Sequence, residues 1–292
     1  MGAKLDRIDK TAIKALHFCT MQVKRENPLI KKKLKSLLQK EQWRMFNGGL
    51  VSVTFRGLSV EKIADLCQKN HLTYIEWGSD VHVPPGNFKK AEQTAKLCEN
   101  KGLVPFAYGS YYRMGQNKSE FSKYIDTARA LNAKVIRIWA GTKAPSALTK
   151  EEYNDLLFEA DEIAEIARKS GITIASECHL DTLTEDAEAG KEFIEKISSP
   201  FFKTYWQPNQ FKSFEQNIAA AKALSPYTVG IHIFNWDKNG RHPLVDGKKM
   251  WQQYLGIFGG KDIPVMLEFM HDDSPSSLAP TAETLFELIE GK

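Results

Sequence analysis

Four cysteines in 292 residues, none of them in a CxxC pair, leave no basis for a disulfide framework or a zinc knuckle. Cys19, Cys67, Cys98 and Cys178 are widely scattered, and Cys67 and Cys98 fall in helical patterns that predict small buried thiols. No apolar run approaches the roughly 20 residues needed to cross a bilayer. A short apolar stretch with a small-residue cleavage site is missing from the N-terminus, so a cytoplasmic chain without a secretory signal is expected. No GxGxxG follows the first strand candidate, and no GxxxxGK followed by Ser or Thr occurs anywhere. The common glycine-rich phosphate cradles are therefore excluded. What remains, 42% hydrophobic and 26% charged, is the composition of an ordinary globular enzyme with enough apolar residues for a large core.

The net charge of +4 is unevenly spread. Residues 1–46 carry twelve Lys/Arg against four Asp/Glu, whereas the rest carries 28 against 32. The basic character belongs to an extension. Leu29, Ile30, Leu34, Leu37 and Leu38 recur near helical spacing beside Lys31–Lys33, which predicts a helical appendage over 1–46 and a main domain over 47–292. Such a segment could touch nucleic acid or anionic lipid; a solvated helix with a docked apolar face is the preferred reading.

From Gly48 onward, short β-branched or aromatic runs alternate with longer amphipathic segments. Strands are expected at Leu50–Phe55, Thr73–Trp77, Val104–Tyr108, Val135–Trp139, Ile172–Glu177, Phe202–Gln207, Thr228–Phe234 and Pro264–Phe269. A helical pattern follows each. Eight strand–helix units predict an α/β fold closed as a (β/α)8 TIM barrel, with the basic helical extension before it.

Side chains alternate faces along a strand, so parity sorts barrel-interior positions from helix-facing ones. Ile172 and Ile174 oppose Thr173, Ala175 and Glu177; Ile231 and Ile233 oppose Gly230 and His232; Val265 and Leu267 oppose Met266 and Glu268. Trp206 opposes Tyr205 and Gln207, and Ile138 opposes Arg137 and Trp139. The polar set gathers toward the C-terminal strand ends, where barrel sites are built. A buried carboxylate or imidazole requires a charged partner or a metal. Glu177, Gln207, His232 and Glu268 share parity and position on four successive strands, which outlines a metal site. Pairing of a strand glutamate with Arg137 is the simpler alternative.

These residues resemble the xylose-isomerase-like TIM barrels, the sugar phosphate isomerase/epimerase group. The segments that carry the likeness are YIEWGSDVHVPPG, VIRIWAG, GITIASECH, YWQPN, VGIHIFNW and VMLEF, in that order from Gly48 to the C-terminus. The resemblance implies one divalent ion (Mn, Mg, Co or Zn) held by Glu177, Gln207, His232 and Glu268. Gln207 departs from the aspartate usual in that family. An amide oxygen can still hold a hard cation, but one negative charge is lost and the affinity should be lower.

The implied reaction is isomerisation or epimerisation of a sugar, sugar phosphate or related polyol, with Glu177 and Glu268 both ligands and acid/base groups. Glu76, His82, Trp139, His179 and Arg241 are expected to shape the substrate pocket, and Arg241 and Lys143 are candidates for phosphate or hydroxyl groups. The resemblance favours a homo-oligomer; the lack of a spanning apolar run predicts no membrane partner, and the basic extension is the sole feature in favour of nucleic acid, which is not the expected partner. Three rivals stand beside this reading. An inosose-type dehydratase would share the enolate; a non-catalytic ligand-binding barrel would account for Gln207. A type-IV apurinic-site endonuclease needs more His and Asp ligands than the seven histidines here supply.

Overall fold

A computed structural model describes residues 47–116 and 120–291. The basic extension expected over 1–46, with Cys19 and the domain boundary drawn at its end, lies outside the described residues. Among the described residues eight strands form the barrel: β1 (Asn47–Val51), β2 (Tyr74–Gly78), β3 (Val104–Arg113), β4 (Val135–Trp139), β5 (Thr173–Glu177), β6 (Phe202–Trp206), β7 (Thr228–Ile233) and β8 (Pro264–Leu267), with a short separate hairpin of Trp236–Asp237 and Gly240–Arg241. The barrel strands pair in parallel, each with its neighbours in sequence, and β8 closes on β1. After them in turn come α1 (Val60–Lys69), α2 (Phe88–Asn100), α3 (Phe121–Ala130), α4 (Lys150–Ser170), α5 (Ala187–Ile197), α6 (Phe214–Leu224), α7 (Lys248–Phe258) and α8 (Leu278–Ile289). The expected closed (β/α)8 barrel is therefore what forms. No described helix is long and apolar enough to cross a membrane.

Local chemistry sets the helix ends. Thr149 and Glu152 form a reciprocal capping box at the start of α4, and Gly171 ends that helix in the left-handed region at φ 66°. Ser213 and Gln216 repeat the box at α6. Parity divides the core as the alternation requires. Ile136, Ile138, Ile174, Ile231, Ile233 and Leu267 join the apolar layer between sheet and helices. Val51, Ala107, Val135, Ala175, Tyr205 and Met266 fill the barrel interior. With its floor packed this way, the barrel opens a cavity at its C-terminal mouth.

β1 and β3 depart furthest from expectation, each at a glycine; the bounds of the other strands fall within two residues of those expected, with Gln207 and Glu268 just past the ends of β6 and β8. β1 starts at Asn47 and ends at Val51, and Ser52–Phe55 form a 3-10 turn where strand was expected. Its glycines hid it, since Gly has low strand propensity. A Cβ on Gly49 would sit 2.4 Å from Met266 Sδ and 2.5 Å from the Tyr74 carbonyl oxygen, so the packed interior demands its absence. β3 continues past Gly109, beyond the expected end at Tyr108, and runs to Arg113 with a register shift against β4 between Gly109 and Arg113.

Gly109 is needed for space. A Cβ there would lie 2.6 Å from Glu76 Oε1 and 3.1 Å from Arg137 Nη2. Gly109→Ala should therefore push these two side chains apart and destabilise the barrel by about 1–3 kcal/mol. Urea unfolding would measure the loss, and an unchanged midpoint would contradict it.

Candidate metal centre

β4, β5, β7 and β2 each deliver one charged side chain to the interior near the mouth: Arg137, Glu177, His232 and Glu76. Glu268 follows directly after β8. All five are buried. Arg137 is the hub. Its Nε donates to Glu76 Oε1 at 2.7 Å and its Nη1 donates to Glu177 Oε2. Trp139 Nε1 donates to the same Glu177 oxygen at 2.7 Å. Glu177 thus has one oxygen held from two sides, while Oε1 faces His232 Nδ1 at 3.4 Å.

The imidazole of His232 works in two directions. Nε2 lies 3.1 Å from Glu76 Oε2, so this carboxylate fixes the ring from behind. Nδ1 points to the side where Gln207 Oε1 lies at 2.9 Å, Glu177 Oε1 at 3.4 Å and Glu268 Oε2 at 3.6 Å. The Tyr205 ring packs below it with centroids 4.4 Å apart, over Gly230, where a Cβ would meet Tyr205 Cζ at 2.4 Å. Beyond Glu268, Phe269 adopts φ 54°, uncommon for a bulky residue, and its N–H donates to Thr54 Oγ1 at 3.1 Å.

Electrostatics within the cluster favour a cation. Burial alone would raise the Glu177 carboxyl, but the Arg137 guanidinium and then His232 hold it well below the usual carboxylate range. For Glu76 the same desolvation is outweighed by Arg137 and His232, and its pKa falls. Glu268 behaves oppositely: burial raises it, and the nearby Glu177 charge adds to the rise against the pull of His232. Burial would lower His232, yet Glu268 and Glu76 push it up to about 10. A proton on Nδ1 thus serves as the positive charge at the point where these side chains converge. Ligand atoms of Glu177, His232 and Glu268 all lie within 4.8 Å of one another. Two carboxylates and one imidazole are a fitting donor set for a divalent ion, and Gln207 Oε1 stands beside them as a neutral fourth.

Gln207→Asp should place a third carboxylate next to the ion. Divalent-ion affinity should rise by roughly tenfold or more, since ligand charge count tunes such sites. Calorimetric titration with Mn2+ or Mg2+ measures this; equal or weaker binding would mean that residue 207 is not a ligand.

The expected pocket residues separate into two groups. Trp139 and His179 line a cavity of about 310 Å³ above the cluster, together with Glu177, Gln207 and Glu268. Their rings lie 5.3 Å apart. Glu76, His82 and Arg241 do not line it. Glu76 sits behind His232. His82 bonds to Ser52 Oγ at 3.0 Å and the Leu58 carbonyl at 3.1 Å. Arg241 is ion-paired with Asp273 and lies 4.5 Å above the Phe269 ring. Lys143 pairs with Glu152 at the surface. Sequence reasoning missed Arg56, Tyr111 and Arg113, which do line the cavity. The signal was the alternation in GSYYR after Gly109, which keeps Tyr111 and Arg113 on one face.

A family model described as xylose isomerase-like TIM barrel matches residues 59–288. No curated protein sequence matches the chain. Among solved structures, the probable 3-DHS dehydratase AsbF of Bacillus anthracis superposes with a TM-score of 0.69 at 16% identity, covering 82% of this chain and 98% of that one. An IOLI protein with a binding zinc atom gives 0.68 at 17% identity, covering 84% and 98%. D-Psicose 3-epimerase of Clostridium cellulolyticum H10, solved with D-tagatose, gives 0.64 at 12% identity, covering 82% and 97%. At such identities the likeness concerns the fold.

Proposed function

Since this chain belongs to the xylose isomerase-like TIM barrel family, we propose that it is a divalent-metal-dependent isomerase or epimerase of a sugar or related polyol. The observation that carries the reading is the buried meeting of Glu177, His232 and Glu268 under a cavity of about 310 Å³. A divalent ion held there would act as a Lewis acid toward a carbonyl and its neighbouring hydroxyl. Removal of the adjacent carbon-bound proton gives an enediolate, and its return to the same or the neighbouring carbon gives epimer or isomer.

The side chains divide the work. Arg137 and Trp139 hold Glu177 as an anion with a fixed orientation. Glu76 keeps Nε2 of His232 occupied, so that Nδ1 is presented to the ion. Glu268 lines the cavity, and no side-chain N–H or O–H donates to it among the described residues except the more distant His232. It is the carboxylate freest to take up and return a proton. Trp139 and His179 supply apolar and polar surface to the bound sugar. The zinc in the IOLI structure and the epimerase fold with D-tagatose support this reading by analogy.

Purified protein dialysed against Mn2+ should retain about one ion per chain, and the Glu177→Gln, Glu268→Gln double variant should retain none. In deuterated water, a screen of free and phosphorylated ketoses and cyclitol ketones should reveal a substrate that exchanges its α-proton only with the metal-loaded wild type. Exchange that survives in the double variant would overturn the assignment. A product lighter by one water would redirect it to a dehydratase, which shares the same first proton transfer.

A further inference from the structure

Three arginines line the cavity: Arg56, Arg113 and Arg137. Arg137 is neutralised by Glu76 and Glu177, and Arg56 by Asp80, with Tyr111 Oη as a further partner. Arg113 is different. Among the described residues its guanidinium has no carboxylate partner and donates no hydrogen bond; its side-chain contact is face-on stacking at 4.0 Å over the Trp139 ring. Stacking of this kind uses the face of the guanidinium and leaves the N–H edge for a ligand.

The backbone around Arg113 is held firmly. Arg113 pairs in register with Trp139 of β4, and Met114 N–H donates to the Trp139 carbonyl at 3.1 Å. On the other side, Tyr112 Oη donates to the buried Glu159 at 2.5 Å, and Gly115 N–H donates to the same carboxylate at 2.8 Å. β3 is thus extended beyond the barrel and tied to α4, with Arg113 half-buried at the cavity wall. A half-buried arginine that has no counter-ion among the described residues, on a fixed segment, is suited to a ligand that brings the missing negative charge.

We propose that Arg113 is the specificity-determining residue for an anionic end group, so that the substrate is an acidic sugar derivative or polyol. A carboxylate and a phosphate each offer a pair of oxygens that the guanidinium fork can bind, and the test separates them. As an anchor for substrate, Arg113 presupposes the isomerase or epimerase reading above. Its charge has no carboxylate partner among the described residues, whichever glutamate transfers the proton.

The experiment uses the full chain loaded with Mn2+ and linear polyols of three to six carbons, each in neutral, aldonate and terminal-phosphate form. Calorimetry gives their affinities. One anionic series should bind on the order of tenfold to a hundredfold more tightly than its neutral counterparts. Arg113→Gln should remove that preference, weakening the anionic series tenfold or more beyond any change in the neutral polyols; Arg113→Lys should keep part of it, because charge remains while the planar edge is lost. Added salt should weaken only the anionic series. Equal affinity for neutral and anionic forms, absence of binding by every anionic member, or equal loss of both classes in Arg113→Gln would overturn the proposal. The two readings fail separately. Anion preference without metal-dependent proton exchange would leave Arg113 as an anion anchor and remove the reaction; exchange on neutral sugars unaffected by Arg113→Gln would do the reverse.

Discussion

Glu268→Gln should lower metal-dependent proton exchange by roughly 10²–10⁴-fold, the usual contribution of a positioned acid–base group. The amide oxygen can still approach the ion, so metal should bind, although more weakly. What the amide cannot do is accept and return a proton. Glu268 is the right residue to test alone because of how the two glutamates are held. Glu177 Oε2 already accepts from Trp139 Nε1 at 2.7 Å and from Arg137, so an amide there would oppose a donor to donors and disturb the whole cluster. Glu268 lines the cavity, and burial together with the Glu177 charge lifts its pKa above the ordinary value. A carboxyl shifted in that direction is a stronger base than its neighbour, which Arg137 holds low. Glu177→Gln should therefore lose stability, metal and exchange together, whereas Glu268→Gln should lose chiefly exchange. The comparison is made by deuterium incorporation at saturating Mn2+, beside thermal unfolding of both variants. Exchange in Glu268→Gln above a tenth of wild type would assign the proton transfer elsewhere.

The barrel and the location of its polar groups were legible because parallel strands buried on both faces impose a strict two-residue alternation. Parity alone put Glu177, Gln207, His232 and Glu268 on the interior side, and the structure brings their polar atoms together. Less legible were features set by neighbours distant in sequence. Gly109 reads locally as a strand end; its real reason is the Glu76–Arg137 pair that fills the space of a side chain. Glu76 lies in the middle of β2, and its contact with His232 Nε2, 156 positions away, places it behind the site. Arg137 was visible as a possible partner for a glutamate. That it would join two carboxylates while Glu177 still faced the metal position depended on the spatial order of β2, β4 and β5, which parity does not supply. Arg113 was hidden for a similar reason, since its strand was expected to stop five residues earlier.

Arg137→Met should destabilise the protein by about 3–5 kcal/mol at neutral pH, the cost of stranding buried charge by removing its partner. For a domain of this size that corresponds to a fall in the unfolding midpoint of roughly 6–20 °C. Methionine fills much of the arginine's volume, so the loss is mainly electrostatic. Without the guanidinium, Glu76 and Glu177 remain buried beside Glu268 with His232 as their main counter-charge. The sign of the pH dependence follows from the wild-type shifts. Both Glu76 and Glu177 are held below the usual carboxylate range by the Arg137 guanidinium and His232. Their pairing therefore contributes stability that is fully present above about pH 4.5 and is lost as the pH falls through their folded-state values. In Arg137→Met that contribution is gone at every pH, and burial without the guanidinium favours the neutral carboxyls. The deficit relative to wild type should be greatest at neutral pH and should shrink progressively below pH 4.5. Lysine at this position should recover only part of the loss, because a point charge cannot donate to Glu76 through Nε and to Glu177 through Nη1 in the same fixed fork. Unfolding by heat or urea at pH 7 and at pH 4 decides the matter. A cost below 1 kcal/mol, or one of equal size at both pH values, would show that the buried network does not depend on Arg137, and the rigid presentation of Glu177 to a metal would lose its physical basis.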